Sequence, residues 1–245
     1  DSSPETKPGR RTPRPTPHAM NYFSRVIAAF ALTGTGNLIA GTSLATQEAF
    51  PAGSTSATVP VQIQSDGAVS ALQADVLYDP ALYDATTAIN EADGMLIDSR
   101  VLTPGQLRVV LYPQFSATLG NGTAFKVPLT AKTGVVSDFP VVLANFLVIG
   151  SDAAPLAAGI APQVKLLGLK DGQDKAGRAG VELTANARAV AGAVSRVQYF
   201  VGGVLVGEGS GANFSFVWFP GVNGPYEITA VALDSNGNVA SSRTV

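Results

Sequence analysis

Cysteine is absent from the chain, and its single histidine, His18, stands in a polar N-terminal stretch. The first absence excludes disulfides, thiolate metal sites, iron–sulfur clusters and a cysteine nucleophile. The second removes Ser-His-Asp hydrolysis, histidine-ligated metals and imidazole acid–base chemistry from any globular part. Charge is also scarce, at 14% of 245 residues with a formal net charge of −2. That leaves no electrostatic footprint for nucleic acid, and no nucleic-acid partner is expected. What the chain has in quantity is 26 glycines and 16 prolines, the mark of a turn-rich protein.

Residues 1–19 are rich in Pro, Arg and Ser and carry no apolar period, so they read as a tail without enough apolar surface to fold. Met20 opens a different composition. Arg25 supplies a positive charge, Val26 to Leu32 is unbroken apolar sequence, and Ser43-Leu44-Ala45 offers small residues at a cleavage position. Basic start, short apolar middle and small-residue exit predict a signal peptide over 20–45. Gly34, Gly36 and Asn37 interrupt the apolar stretch, which falls short of the about 20 residues a membrane span needs. A secreted or cell-surface location follows, with membrane contact only through this leader. Beyond residue 45 eleven cationic residues face sixteen anionic ones, a formal charge of −5.

From Thr46 onward the apolar residues recur with period two. Val59, Val61 and Ile63 form one such set, Leu72, Ala74, Val76 and Tyr78 another, Leu107, Val109 and Leu111 a third, and Phe125, Val127 and Leu129 a fourth. This is the pattern of half-buried antiparallel strands. Pro60 and Pro128 fall on the outward phase and predict edge positions. The stretch 82–97 has room for one short helical turn, and 141–149 is almost wholly apolar. Small residues and two prolines over 152–162 predict a linker between domains at 153–161. A second alternating series fills 162–245: Val181, Leu183 and Ala185; Val197, Tyr199 and Val201; Phe214, Phe216 and Trp218; then Ile228, Ala230 and Ala232. Gly202-Gly203 marks a tight hairpin, and 234–238 the last one. The expected fold is all-β, with two β-sandwich domains at 46–152 and 162–245. Trp218 is read as a core anchor, and Tyr226 as a residue whose hydroxyl meets nearby backbone.

Paired carboxylates are the one catalytic route left open, and glycoside hydrolysis needs two of them across one cleft. Asp75 lies on the outward phase of a strand, Asp79 is suited to capping the turn before Pro80, and Asp84, Asp93 and Asp98 show no defensible spacing. No enzyme is expected. Asp234, Asn236 and Asn238 alternate as oxygen donors and are the candidates for a calcium ion, although no bidentate Glu follows and an ordinary hairpin turn explains the same letters. No other cofactor is expected. Asn121-Gly122-Thr123 is formally a glycosylation sequon that a Gly-Asn-Gly turn equally explains. Tyr83, Tyr112 and Phe115 are the candidate ligand-binding aromatics, provided they stand exposed rather than in the core.

Two resemblances add to this reading. The segment VPVQI at 59–63, ALQADVLYDP at 71–80, Leu82, and Gly120-Asn121-Gly122-Thr123 ahead of Phe125 together resemble a cohesin domain over residues 55–152. The resemblance implies a nine-stranded jelly roll that binds a dockerin module or carbohydrate. Residues 90–104 depart from the pattern, and no contact residues are carried over. The segments VSRVQYFVGGVLVG at 194–207, FSFVW at 214–218 and YEITAVALD at 226–234 are similar to bacterial Ig-like repeats, which implies a spacer or adhesive unit. The expected function is non-catalytic recognition of a dockerin-like protein module or a polysaccharide, with the Ig-like unit as spacer. The alternatives are a structural brick of a surface fibre and, less favoured, the N-terminal part of a polysaccharide-degrading enzyme.

Overall fold

In the computed structural model the described residues are 41–47, 50, 54–65, 68–134, 136–172, 180–222 and 224–245. The tail at 1–19 and the leader expected over 20–45 lie outside them as far as residue 40. Eleven strands build the first body: β1 (Thr42–Thr46), β2 (Ser56–Gln64), β3 (Val69–Tyr78), β4 (Tyr83–Ala85), β5 (Ile89–Asn90), β6 (Met95–Thr103), β7 (Gln106–Pro113), β8 (Gly122–Ala131), β9 (Val141–Gly150), β10 (Pro155–Leu156) and β11 (Ala158–Ile160). Seven build the second: β12 (Gln163–Leu167), β13 (Val181–Arg188), β14 (Val194–Val201), β15 (Val204–Glu208), β16 (Phe216–Trp218), β17 (Ile228–Asp234) and β18 (Val239–Ser241). No helix occurs among the described residues; 82–97 forms β4, β5 and the start of β6 instead of a helical turn. The fold is all-β, two sandwiches in series.

In the first sandwich a sheet ordered β11-β1-β2-β8-β4, with β5 also on β8, faces a sheet ordered β10-β9-β3-β7-β6. Val59, Val61 and Ile63 of β2, Leu72, Ala74 and Val76 of β3, Leu107, Val109 and Leu111 of β7, and Phe125, Val127 and Leu129 of β8 fill the space between them. These are the period-two sets of the sequence, buried because successive side chains leave a strand on opposite faces. Pro60 and Pro128 are not on edge strands, since β2 and β8 are both internal. Each sits where the neighbouring ladder is interrupted. Pro128 lies opposite the gap between β4 and β5, and its carbonyl receives only the Thr86 N–H. Pro60 lies beyond the end of the β1 ladder. The missing N–H therefore costs no ladder bond.

Two domain limits differ from the expectation. Thr42–Thr46 is a strand, antiparallel to β2 and parallel to β11, with Leu44 in the core, so a cleavage after Ala45 would remove most of it. The stretch 153–161, expected as a linker, contributes β10 to one sheet and β11 to the other. The chain thus leaves the first sandwich at Ile160 and enters β12 at Gln163.

The join is correspondingly close. Gln163 is buried, and its amide donates to Thr46 Oγ1 at 2.6 Å and to the Val141 carbonyl at 2.8 Å, while its Oε1 accepts from Arg188 at 2.5 Å. Asp138 of the first sandwich pairs with Lys165 at 2.9 Å and accepts from the Asn186 amide at 3.0 Å. Burial pushes the Asp138 carboxyl up, but Asn186 and Lys165 outweigh it and hold it below the usual range. Arg188 covers the Phe139 ring at 5.3 Å, and a side chain at Gly159 would run into Asn238.

The second sandwich packs β12-β13-β16 against β15-β14-β17-β18. Val164, Leu183, Ala185, Val197, Tyr199, Ala230 and Ala232 form its core, and Ala45 of β1 packs against the same cluster. Gly202 and Gly203 both have positive φ (57° and 80°), as the tight hairpin between β14 and β15 demands. Trp218 is half-buried on the short edge strand β16, edge-on to Tyr226 at 4.8 Å, and the Tyr226 hydroxyl donates to the Val222 carbonyl. Tyr199 is fully buried and donates to the Phe214 carbonyl at 2.6 Å. Tyr199→Phe leaves that carbonyl unpaired, and thermal unfolding should register a loss of about 1 kcal/mol.

Candidate docking surface on the five-stranded sheet

The sheet β10-β9-β3-β7-β6 turns its second set of side chains outward, and the registers arrange them in rows. Leu96 lies opposite Tyr112, and Ala71 opposite Ile149. The next row runs Asp98, Val110, Gln73, Leu147. The one after it runs Arg100, Arg108, Asp75, Ala144. Leu96, Tyr112 and Leu147 remain 40%, 42% and 45% exposed. One end of this face is therefore apolar and uncovered, and the third row carries most of its charge.

Asp75 organises that third row. Its side chain is wholly buried although it points away from the core. Oδ1 accepts from Arg108 Nε at 2.7 Å, and Oδ2 accepts from Arg108 at 2.9 Å, Gln106 at 2.8 Å and Asn145 at 2.9 Å. Asn145 reaches it because β9 bulges there: the register against β3 shifts between Gln73 and Asp75, and Asn145 takes a φ of 44°. A bulge of this kind re-aims a side chain, and Asn tolerates the left-handed region better than most residues. The Arg108 bond lowers the Asp75 pKa most; burial opposes it, Asn145 and Gln106 add to it, and the result is about 2. A carboxylate held ionised so firmly is no general acid at neutral pH. Its effect is to tie β3, β7 and β9 together under the exposed face.

Of the three aromatics singled out in the sequence, the fold separates one from the other two. Tyr83 is a correction: at 1% exposure it is a core residue, tilted against Phe50 at 5.5 Å, and its hydroxyl accepts from the Ser137 N–H. In sequence the stretch 82–97 has room for a helical turn, but β4 pairs with the end of β8 and turns Tyr83 inward. Tyr112 stands on the outer face. Phe115, three residues further, is 91% exposed at the same end of β7, with a φ of 64° and the Gln114 N–H tied to the Gly94 carbonyl.

At Asp234, Asn236 and Asn238, the candidates for calcium, the geometry is that of the hairpin turn which explains the same letters. Asp234 is buried; its Oδ1 accepts from the backbone N–H groups of Asn236 and Asn238, and its Oδ2 from the Asn238 amide. These bonds close the β17–β18 hairpin and consume the oxygens a cation would need. Among the described residues, no group of three or more His, Cys, Asp or Glu converges on a point. A chelator should leave the melting temperature unchanged; a drop on adding EDTA would reinstate the ion. Asp79 Oδ1 accepts from the Ala81 N–H, Asp84 pairs with Lys132, and Asn121 Oδ1 accepts from the Ser65 N–H, so each has a local structural partner.

Leu96, Arg100, Arg108, Asn145 and Leu147 were not singled out in the sequence. Their common signal is a position on the polar phase of a strand, visible only once the registers set the rows side by side.

Several solved structures are similar to parts of this chain. A cohesin from the archaeon Archaeoglobus fulgidus matches at 18% identity and TM-score 0.42, over 49% of this chain and 86% of its own. The sixth cohesin of scaffoldin B from Acetivibrio cellulolyticus, solved in complex with a Cel5 dockerin, matches at 17% and 0.43, over 50% and 96%. Fibronectin(III)-like modules of CbhA from Clostridium thermocellum match at 29% and 0.30, over 32% and 90%. No curated protein matches the chain. The family model described as Bacterial Ig domain matches residues 162–241, which span the second sandwich to the end of β18.

Proposed function

We propose that the chain is a non-catalytic recognition protein that docks a partner protein module on the outer face of β9-β3-β7-β6, with the Ig-like sandwich as a spacer, in a secreted or surface-attached setting. The observation that carries this is the exposed trio Leu96, Tyr112 and Leu147, set in register over a rigid, internally neutralised Asp75 network. Apolar side chains held on flat, well-ordered strands lose little entropy on being covered, which favours docking. The sequence resemblance of residues 55–152 to cohesins makes dockerins the modules to try first.

The test is retention of the full chain by a panel of immobilised dockerin modules, with insoluble glucans alongside. At least one module is expected to hold the wild type. The double variant Tyr112→Ser, Leu147→Ser should weaken that binding about 100-fold with unchanged thermal unfolding, since truncated anchors at an interface centre cost about 2 kcal/mol or more. Retention by glucans alone, or full binding by the double variant, would refute the proposal.

A further inference from the structure

We infer that the docked module presents a carboxylate to Arg100, about 13 Å along the face from the apolar group that meets Leu96 and Tyr112; this rests on the reading of the face as a docking surface. The spacing follows from the four residue steps along β6 between Leu96 and Arg100, at about 3.3 Å each. Arg100 lies directly opposite Arg108. Like charges in that position repel across a strand pair. Arg108 is neutralised by Asp75, but Asp75 has nothing left for Arg100. Its oxygens already receive four donors, two of them from Arg108. Asp98, two residues along the same side of β6, lies opposite Val110 and forms no ion pair with Arg100 among the described residues. The free protein thus holds an exposed guanidinium with no ion-pair partner among the described residues, directly opposite a second arginine, on a face whose other exposed residues are Asp98 and apolar side chains. An acidic side chain is the chemistry that relieves the repulsion, and the planar guanidinium accepts it in bidentate fashion.

A simpler role for Arg100 is to keep the β6 edge from pairing with another sheet, which any charge accomplishes. Arg100→Glu separates the two roles. It keeps a charge on the edge and places Glu opposite Arg108, which favours the free fold, while repelling a carboxylate on the partner.

The experiment measures binding of the full chain to whichever dockerin module the panel retains, by calorimetry at about 0.05 M and about 0.5 M salt, beside thermal unfolding. Arg100→Glu should weaken binding at least tenfold with an unchanged or raised melting temperature. Arg100→Gln should lose less and flatten the salt dependence. A module with the facing carboxylate changed to Lys should bind Arg100→Glu better than it binds the wild type. Wild-type affinity in Arg100→Glu, with binding still lost in the Tyr112→Ser, Leu147→Ser variant, would overturn the carboxylate and leave the docking face standing. Retention of the wild type by no module would overturn both.

Discussion

Asp75→Ala should lower the unfolding free energy by about 3 kcal/mol, because removing one member of a buried ion pair strands its partners. Three donors lose their acceptor together, Arg108, Gln106 and Asn145. Arg108 is a third exposed and recovers some hydration, which keeps the loss below that of a fully interior pair. The same residue sets an acid limb. Its folded pKa is about 2 against 3.8 for the free group. A depressed carboxylate contributes fully above its unfolded pKa and loses that contribution as the pH falls toward its folded one. About 2 kcal/mol should therefore disappear between pH 4 and pH 2. Asp75→Asn has no such proton to take up, so its urea midpoint should fall less over this interval than that of the wild type. Parallel acid limbs in the two proteins would assign the loss to other groups.

Gln163→Ala is the second large effect, about 2–3 kcal/mol, and it acts at the join. The substitution leaves the Thr46 hydroxyl and the Val141 carbonyl without their donor and frees Arg188 from its acceptor. Buried groups deprived of partners cost about 1–3 kcal/mol each, partly recovered by water once the join loosens. The single tryptophan belongs to the second sandwich, so its fluorescence follows that body, while far-ultraviolet dichroism follows both. In the wild type the two signals should lose structure together in urea. In Gln163→Ala they should separate, the first sandwich and the second each unfolding at its own midpoint. Coincident, unshifted transitions in the variant would show that Gln163 does not couple the two bodies.

How far the sequence reveals this structure depends on whether the deciding contact is local. The alternation at 59–63, 72–78, 107–111 and 125–129 identifies strands and their inner faces because the pleat is a property of each strand alone. Strand β1 escaped that reading. Thr42 and Thr46 are buried but polar, so only Leu44 marks the inner phase, and Ser43-Leu44-Ala45 mimics a cleavage site. Strands β10 and β11 escaped it as well, being two and three residues long and ordered only by pairing with distant β9 and β1. Asp75 was legible as outward-facing. Its burial was not, since it comes from neighbours 31, 33 and 70 residues away in sequence. Tyr83 and Tyr112 stood alike as candidate aromatics; the pairing of β4 with β8 hides one, and the outward phase of β7 exposes the other.

The most direct measurement is an amide-resonance footprint of the full chain titrated with any dockerin module that the proposed panel finds to bind it. Shifts should concentrate at 96–100 of β6, 108–112 of β7, Gln73 and Leu147, leaving the β12–β18 sandwich silent. A footprint confined to the sheet carrying β2 and β8, or to the Ig-like sandwich, would contradict the assignment of the face.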